Sequence, residues 1–145
     1  MKQQQSIGNW IDRIAEQFES AGLFYGHGTD NALDEAAWLV LQLCGKPLDG
    51  GFADWNEAVD GKTGRRIGQL AERRCQSGKP LAYLLGTAWF AGLEFEVSED
   101  VLVPRSPIAE LILDGYRPWV VPGKTRRVLD MCTGSGCIGI ATAVY

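Results

Sequence analysis

Residues 128–143 decide the fold of this chain, and they read Val128-Leu129-Asp130-Met131-Cys132-Thr133-Gly134-Ser135-Gly136-Cys137-Ile138-Gly139-Ile140-Ala141-Thr142-Ala143. An apolar pair leads into an acid, then into a loop with two glycines, and then into a segment of helical composition. That order predicts a strand, a tight turn and a helix, the opening unit of a doubly wound α/β sheet, where ligands bind beyond the carboxyl ends of strands. One such unit cannot cover both faces of its own strand, so the sequence is expected to be the front portion of a larger protein.

The composition indicates a globular protein. Apolar residues make up 46% of the 145 residues, and no run of about 18 apolar residues that would cross a membrane occurs. The start of the chain lacks the apolar core of a signal peptide, so a cytoplasmic location is expected. Four cysteines without C-x-x-C spacing and a single histidine, His27, do not supply the spaced ligands of a zinc site, so no metal is expected. The net charge of −4 argues against a broad nucleic-acid footprint but allows local basic patches.

Residues 1–80 are predicted to form a small helical domain. Apolar residues at helical spacing predict a first helix with Ser6 as its cap: Ile7, Trp10, Ile11, Ile14 and Phe18. A glycine-rich loop then leads to a second helix, which is capped by Thr29 or Asp30 and ends at Gly45. The predicted apolar face of this second helix contains Leu33, Ala36, Ala37, Val40, Leu43 and Cys44.

A third helix is predicted over 63–76, after a loop with one helical turn at 55–59. Its apolar stripe contains Ile67, Leu70, Ala71 and Cys75, and Gly78-Lys79-Pro80 stops it. Its exposed side carries five basic residues: Lys62, Arg65, Arg66, Arg73 and Arg74. Such a face is usually solvated surface, but it also suits ribosomal RNA or an acidic partner.

Residues 81–103 are predicted to form a β-hairpin connector. Ala91-Gly92 separates two strand-like runs, 87–90 and 93–97, and the second run alternates apolar and acidic residues. That alternation predicts a hairpin with one face in water. Residues 101–103 are compatible with a short third strand.

Residues 104–145 are predicted to be the first pieces of an α/β domain. Pro107 suits the first turn of a helix that runs to about Gly115. Its inward residues are predicted to be Ile108, Leu111 and Ile112.

The glycine loop itself formally satisfies the dinucleotide fingerprint G-x-G-x-x-G between Gly134 and Gly139. Asp130 stands four residues before Gly134, and a carboxylate near the helix N-terminus disfavours a pyrophosphate there. It suits a cationic ligand such as S-adenosylmethionine, whose ammonium Asp130 would hold directly or through water. Two alternatives stay open: a dinucleotide, and an Asp130 that only caps the following turn. For Gly139 we favour a small residue that lets the helix pack on the strand.

The segment Asp130-Met131-Cys132-Thr133-Gly134-Ser135-Gly136 resembles motif I of the class I S-adenosylmethionine-dependent methyltransferases. Together with Val103-Pro104-Arg105-Ser106-Pro107-Ile108-Ala109-Glu110, it is similar to the bacterial protein-glutamine methyltransferases, which modify a side-chain amide nitrogen. One branch of that family acts on translation termination factors, and another acts on large-subunit ribosomal protein three. The Ser-Pro-Ile-Ala-Glu run and the cysteine-containing loop resemble the ribosomal-protein branch.

The resemblance implies S-adenosylmethionine as cofactor and a Rossmann-like sheet, of which residues 104–145 would be the first elements. The implied cofactor loop consists of Asp130, Met131, Cys132, Thr133, Gly134, Ser135 and Gly136. The family usually has glycine where this chain has Cys132. Its Asn-Pro-Pro-Tyr element, which grips the substrate amide, is absent from the sequence, so no catalytic residue is assigned and the chain alone is expected to be inactive.

The implied partner is the large-subunit ribosomal protein. The basic face of the third helix, and not the resemblance, suggests an additional weak contact with ribosomal RNA. Two other functions stay open: glutamine methylation of termination factors, and a dinucleotide-dependent oxidoreductase. A non-catalytic recognition module in residues 1–103 is compatible with both enzyme classes.

Overall fold

The structure is a computed structural model that describes residues 5–121 and 123–145. Its elements are α1 (Ile7–Ser20), α2 (Ala32–Leu43), α3 (Gly61–Ser77), α4 (Leu81–Leu85), β1 (Thr87–Phe90), β2 (Leu93–Glu96), α5 (Ile108–Leu113) and α6 (Cys137–Val144). The chain divides into two compact units, one that ends at Leu85 and one that spans Gly86–Tyr145. Helices and a small antiparallel sheet therefore coexist. None of the described helices combines the length and the hydropathy that crossing a membrane requires.

Helix α1 begins and packs as its sequence predicts. The Ser6 hydroxyl oxygen accepts a hydrogen bond from the Asn9 N–H at 3.2 Å, which satisfies one of the free donors of the first turn. The buried face consists of Ile7, Ile11, Ile14, Ala15 and Phe18. The predicted cap and the predicted stripe are confirmed, except that Trp10 is only half-buried.

Helix α2 begins later than predicted, and of its predicted apolar face only Ala36 and Val40 are fully buried. Its cap is Asn31, whose side-chain oxygen accepts from the Asp34 N–H at 2.9 Å, so the prediction of Thr29 or Asp30 is wrong. Leu33, predicted to face the core, is 52% exposed. The buried residues are Ala32, Glu35, Ala36, Trp38, Leu39, Val40 and Leu41. Because the helix is apolar nearly all round, periodicity does not define its inner face, and contacts with neighbouring helices decide it.

Helix α3 is confirmed with slightly wider bounds. Asp60 is the cap, and its Oδ1 accepts from the N–H groups of Lys62 at 2.8 Å and Thr63 at 3.0 Å. Gly78 ends the helix in the left-handed conformation, with φ at 67°, as a glycine can at little cost. Of the predicted stripe, Ile67, Leu70 and Ala71 are buried and Cys75 is half-buried.

The assignment of Arg74 to the exposed basic side is wrong. Arg74 is 1% exposed. It pairs with Glu35, which is 3% exposed. The guanidinium donates from Nε to Glu35 Oε1 at 2.5 Å, from Nη1 to the Gly78 carbonyl at 3.0 Å and from Nη2 to the Phe24 carbonyl at 2.9 Å. A buried charge is tolerated because these acceptors replace water. The pair joins α2, α3 and the loop that precedes α2.

Residues 55 and 56 form a turn, and the helical turn predicted over 55–59 is absent. Instead, Ala58 forms an isolated antiparallel bridge with Ser6. The N–H groups of Ile7 and Gly8 donate to the carbonyls of Glu57 and Trp55, both at 2.9 Å. These bonds satisfy backbone donors at the start of α1 that have no partner within the helix.

The predicted hairpin is confirmed. Strands β1 and β2 pair antiparallel, with Ala88 opposite Phe95 and Trp89 opposite Glu94. The two loop residues Ala91 and Gly92 have φ of 48° and 75°, the left-handed pair that a two-residue hairpin loop requires. One face carries the buried Ala88, Phe90 and Phe95, whereas Trp89, Glu94 and Glu96 are exposed. Residues 101–103 form no strand.

The hairpin shares a core with the two helices that follow it. Phe90, Ala91, Phe95, Ile112, Cys137 and Ala141 form this core of the second unit. Helix α5 contributes Ile112, which is 1% exposed, whereas Leu111 is 39% exposed. Of the three predicted inward residues, Ile112 is therefore confirmed as fully buried, Ile108 packs at the margin, and the prediction for Leu111 is wrong.

Asp60 gives the stability of the first unit a dependence on acid pH. A hydrogen bond with the Thr63 side chain, and bonds from the N–H groups of Thr63 and Lys62, hold the pKa of its carboxyl below the ordinary value of 3.8. Their stabilisation is therefore complete above about pH 4 and is lost as the pH falls through the lowered pKa. We expect Asp60→Asn, which keeps a neutral cap, to lose less stability than the unchanged chain between about pH 6 and about pH 2.5.

Urea midpoints at the two pH values measure this difference. The matched control is Asp54→Asn, an exposed acid in the same loop, which should follow the unchanged chain. Equal acid losses for Asp60→Asn and the unchanged chain would contradict the prediction.

Candidate functional site

The predicted strand before the glycine loop is absent. Residues 125–130 are assigned neither helix nor strand, and the side chains of Val128 and Leu129 are 64% and 82% exposed. A strand is defined by hydrogen bonds to a neighbour, and within the described residues the sheet has only two strands, β1 and β2. Val128 and Leu129 have no neighbouring strand among the described residues. The backbone therefore enters the loop without strand hydrogen bonds.

The loop itself is a tight turn built on left-handed residues. Cys132, Gly134 and Gly136 have φ of 59°, 55° and 76°, and the Gly136 N–H donates to the Thr133 carbonyl at 2.8 Å. Gly136 directly precedes α6 as its cap residue. Cys132 adopts the conformation that a glycine there would adopt freely, at a cost on the order of 1–2 kcal/mol for a residue with a Cβ. The turn thus forms with the cysteine in place.

Asp130 caps helix α6 from outside it. Its Oδ2 accepts a hydrogen bond from the Gly139 N–H at 3.0 Å, one of the free donors of the first helical turn. A Cβ on Gly139 would lie 3.0 Å from the same oxygen, so the missing side chain of Gly139 lets the carboxylate approach. Oδ2 of Asp130 therefore caps the turn that follows it, as the second interpretation of this residue predicted. We find no hydrogen bond to Oδ1 within residues 5–121 and 123–145.

Four of the seven predicted site residues are exposed. Met131 is 76% exposed, and Cys132, Thr133 and Gly134 are exposed as well. No atom lies within 4 Å of the position that a Cβ on Gly134 would take, so the space above the turn is open. Asp130, Ser135 and Gly136 are half-buried. The structure therefore brings the predicted residues together in one open turn beside a carboxylate.

Helix α6 fixes this turn to the hairpin and α5. Cys137 and Ala141 are buried in the core of the second unit. The hydroxyls of Tyr116 and Thr142 lie 2.5 Å apart, and the Tyr145 hydroxyl donates to the Ala91 carbonyl at 2.8 Å. Sequence spacing gave no signal for Tyr116 or Tyr145, because both bonds join parts of the chain that are far apart in sequence.

The Pro-Arg-Ser-Pro segment acts as the entry to α5. The Ser106 hydroxyl oxygen accepts from the Ile108 N–H at 3.3 Å, and Pro107 immediately precedes the helix. Val103 and Pro104 are buried, whereas Arg105 is exposed. The segment therefore has a structural role that does not require a ligand.

All four cysteines are free thiols. Burial raises the pKa of the Cys44 thiol, and Glu57 adds to this effect. Burial likewise raises the pKa of the Cys75 thiol. Both are therefore protonated at neutral pH and are poor nucleophiles. Among the described residues, no group of three or more acids, cysteines or histidines is arranged to hold a metal ion.

Comparison with known proteins identifies the first unit. Residues 9–86 match the PrmC N-terminal domain, a range that begins in the first turn of α1 and includes α2, α3 and α4. The chain belongs to the PrmC N-terminal domain family. The matched range ends next to the division between the two compact units, so the PrmC N-terminal domain and the first unit coincide closely.

The relatives of this PrmC N-terminal domain protein include ribosomal protein uL3 glutamine methyltransferases. The one from Xylella fastidiosa strain Temecula1 is 49% identical over 131 residues, which are 90% of this chain and 42% of the relative. The one from Xanthomonas campestris pv. campestris is 49% identical over 129 residues, 89% of this chain and 42% of the relative. The one from Bordetella pertussis strain Tohama I is 42% identical over 141 residues, 97% of this chain and 47% of the relative. The chain thus spans a little under half the length of these relatives.

Proposed function

We propose that this chain is part of a protein that methylates a glutamine side-chain amide of ribosomal protein uL3. The observation that carries the proposal is the 49% identity, along 90% of the chain, to relatives that bear this name. Such identity extends well beyond the PrmC N-terminal domain match at 9–86, so the second unit is similar to these relatives too. This favours the ribosomal-protein branch over methylation of termination factors.

The methyl donor in this proposal is S-adenosylmethionine, which supplies an activated methyl group on a sulfonium. The open turn fits such a ligand, because Gly134 has free space above it and Asp130 presents a carboxylate beside it. Oδ2 of Asp130 is used by Gly139, and Oδ1 would hold the ligand's ammonium directly or through water. The backbone of residues 131–136 would line the rest of the contact. We further propose that residues 104–145 are the first elements of a Rossmann-like domain.

The chemistry explains why this part of the protein would not act alone. The lone pair of an amide nitrogen is delocalised, so the enzyme must hold the amide with that lone pair aimed at the methyl group. Orientation of this kind is worth on the order of 7–11 kcal/mol at best. The Asn-Pro-Pro-Tyr element that grips the amide in the family is absent from residues 1–145. We therefore assign no catalytic residue here.

The units divide the work in this proposal. The helical module of about residues 1–80 would recognise the substrate, residues 81–103 would connect it, and residues 104–145 would begin the cofactor domain. The location that matches a ribosomal-protein substrate is the cytoplasm. The exposed basic side of α3 would contact ribosomal RNA.

The experiment compares the complete protein with the 1–145 polypeptide. Each is incubated with S-adenosylmethionine and purified uL3, and the substrate peptides are analysed by mass spectrometry for a methylated glutamine. We expect methyl transfer to uL3 by the complete protein, little transfer to a termination factor, and none by residues 1–145. Transfer to the termination factor alone, or binding of NAD in place of S-adenosylmethionine by calorimetry, would overturn the proposal.

Asp130 provides the sharpest test of the cofactor site. In the complete protein, Asp130→Asn keeps an acceptor for the Gly139 N–H but removes the charge. We expect it to weaken S-adenosylmethionine binding about tenfold or more, the effect of losing one charge-assisted contact of about 1.4 kcal/mol or more. The control is Asp114→Asn, an exposed acid at the end of α5, which should leave the affinity unchanged. Equal affinities for Asp130→Asn and the control would mean that Asp130 serves only as a cap.

A further inference from the structure

Helix α3 concentrates the positive charge of the first unit. Residues 61–79 hold six of the nine lysines and arginines of that unit, but only one of its eleven acids. One of the six, Arg74, is neutralised inside by Glu35. The other five are exposed: Lys62, Arg65, Arg66, Arg73 and Lys79. On a chain with a net charge of −4, this is a local positive surface.

Part of this surface lines an open groove of about 530 Å³ beside α4. Four of its lining residues recur along α3 at spacings that place them on one stripe of the helix: Arg66, Gln69, Arg73 and Gln76. Leu84 and Leu85 give the groove an apolar side. A smaller groove of about 230 Å³ continues it and adds Lys79. We call this combined feature the α3 groove.

The two arginines of the α3 groove have no anionic partner within the described residues. The salt bridges among the described residues join Lys46 to Glu57 and Arg74 to Glu35, and neither involves Arg66 or Arg73. The acid of the groove, Glu72, accepts a hydrogen bond from the Gln76 amide at 2.9 Å. Arg66 and Arg73 thus line the groove with their donors available to a ligand.

Local helix stability does not account for the charge pattern. Cations near a helix C-terminus interact favourably with the macrodipole, which accounts for Lys79 just beyond the helix but not for Arg73, which precedes the last turn. Lys62 lies in the first turn of α3, where the same dipole disfavours a cation, and Arg65 and Arg66 lie in the second turn. Lys62 and Arg66 are four residues apart on the helix surface, where like charges repel each other, and an external anion would offset that repulsion.

We propose that the α3 groove binds the phosphate backbone of RNA. Guanidinium groups match phosphate oxygens with paired hydrogen bonds. The cations extend from residue 62 to residue 79, about 26 Å along the helix direction, a length that suits a polymer of repeated charges better than a single anion. The glutamine amides and the apolar side of the groove suit the sugars and bases between phosphates. RNA binding goes beyond the proposed methylation and does not depend on it; only the identification of the RNA as ribosomal rests on that function.

The test measures binding of a fluorescein-labelled single-stranded RNA of mixed sequence to the 1–145 chain by anisotropy, over a range of NaCl concentrations. We expect the double variant Arg66→Ala/Arg73→Ala to bind about tenfold more weakly at low salt. Loss of two phosphate contacts should also reduce the slope of log affinity against log salt by about 1.4. Gln69→Ala, which removes no charge, should weaken binding less and leave the slope unchanged. Circular dichroism shows that each variant is folded.

The matched control is Arg126→Ala/Arg127→Ala, which removes the same charge from exposed positions of the second unit. It should change the affinity less than about twofold, because it leaves the α3 groove intact. Equal losses for the two double variants would overturn the proposal, since overall charge would then explain the binding. Displacement of the RNA by polyglutamate of the same charge at equal concentration would also overturn it, in favour of an acidic protein partner.

Discussion

Replacing Arg74 by methionine is expected to lower the free energy of unfolding of the first unit by about 3–5 kcal/mol. Methionine has a similar length, so the cost arises mainly from the partners that remain. Glu35, 3% exposed, would keep a buried charge with only the Thr29 hydroxyl at 3.3 Å as a described donor. The carbonyls of Phe24 and Gly78 would also lose their guanidinium donors. Urea unfolding followed by circular dichroism measures the loss.

Two variants make this prediction specific. Arg73→Met removes the neighbouring exposed arginine from the same helix and should change the stability by no more than about 0.5 kcal/mol. The double variant Glu35→Leu/Arg74→Met removes both charges and should recover much of the loss, because apolar residues often replace a buried ion pair without net cost. If Arg74→Met were as stable as Arg73→Met, the buried pair would not stabilise the fold.

Replacing Gly64 by alanine is expected to destabilise the first unit by about 1–3 kcal/mol, although alanine is the better helix former. A Cβ on Gly64 would lie 2.7 Å from the Trp10 ring, a distance at which atoms overlap. A shift of the ring would also disturb its cation–π contact with the Arg13 guanidinium, which lies 3.7 Å from the ring centroid. The clash therefore exceeds the gain in helix propensity.

Gly68 supplies the matched control on the same helix. No atom lies within 4 Å of the position of a Cβ there, so Gly68→Ala should stabilise the unit by about 0.5–1 kcal/mol through helix propensity alone. Thermal or urea unfolding of both variants should therefore give changes of opposite sign. Two changes of the same sign would show that the contact between α1 and α3 does not limit the space at Gly64.

The glycine turn at residues 131–136 was largely predictable, because its shape depends on neighbouring residues. Two glycines after an acid predicted a tight turn and a helix, and both are present. The left-handed φ of Cys132 was not predictable, since a residue with a Cβ rarely adopts it. The strand before Asp130 was predicted from its apolar pair, but strand formation requires a hydrogen-bonded neighbour, which local sequence does not supply.

The sequence by itself determined the elements whose signals are local: a capped amphipathic α1, a glycine-terminated α3, and a hairpin with a two-residue loop. These depend on spacing and turn chemistry over a few residues. Only the tertiary structure decided which arginine of α3 is buried, because the partner of Arg74 lies 39 residues earlier in the chain. It likewise decided the inner face of α2. This helix has apolar residues on nearly every side, so the sequence does not favour one face over the others. Burial depends on which surfaces meet, and local periodicity does not encode that choice when more than one face can serve.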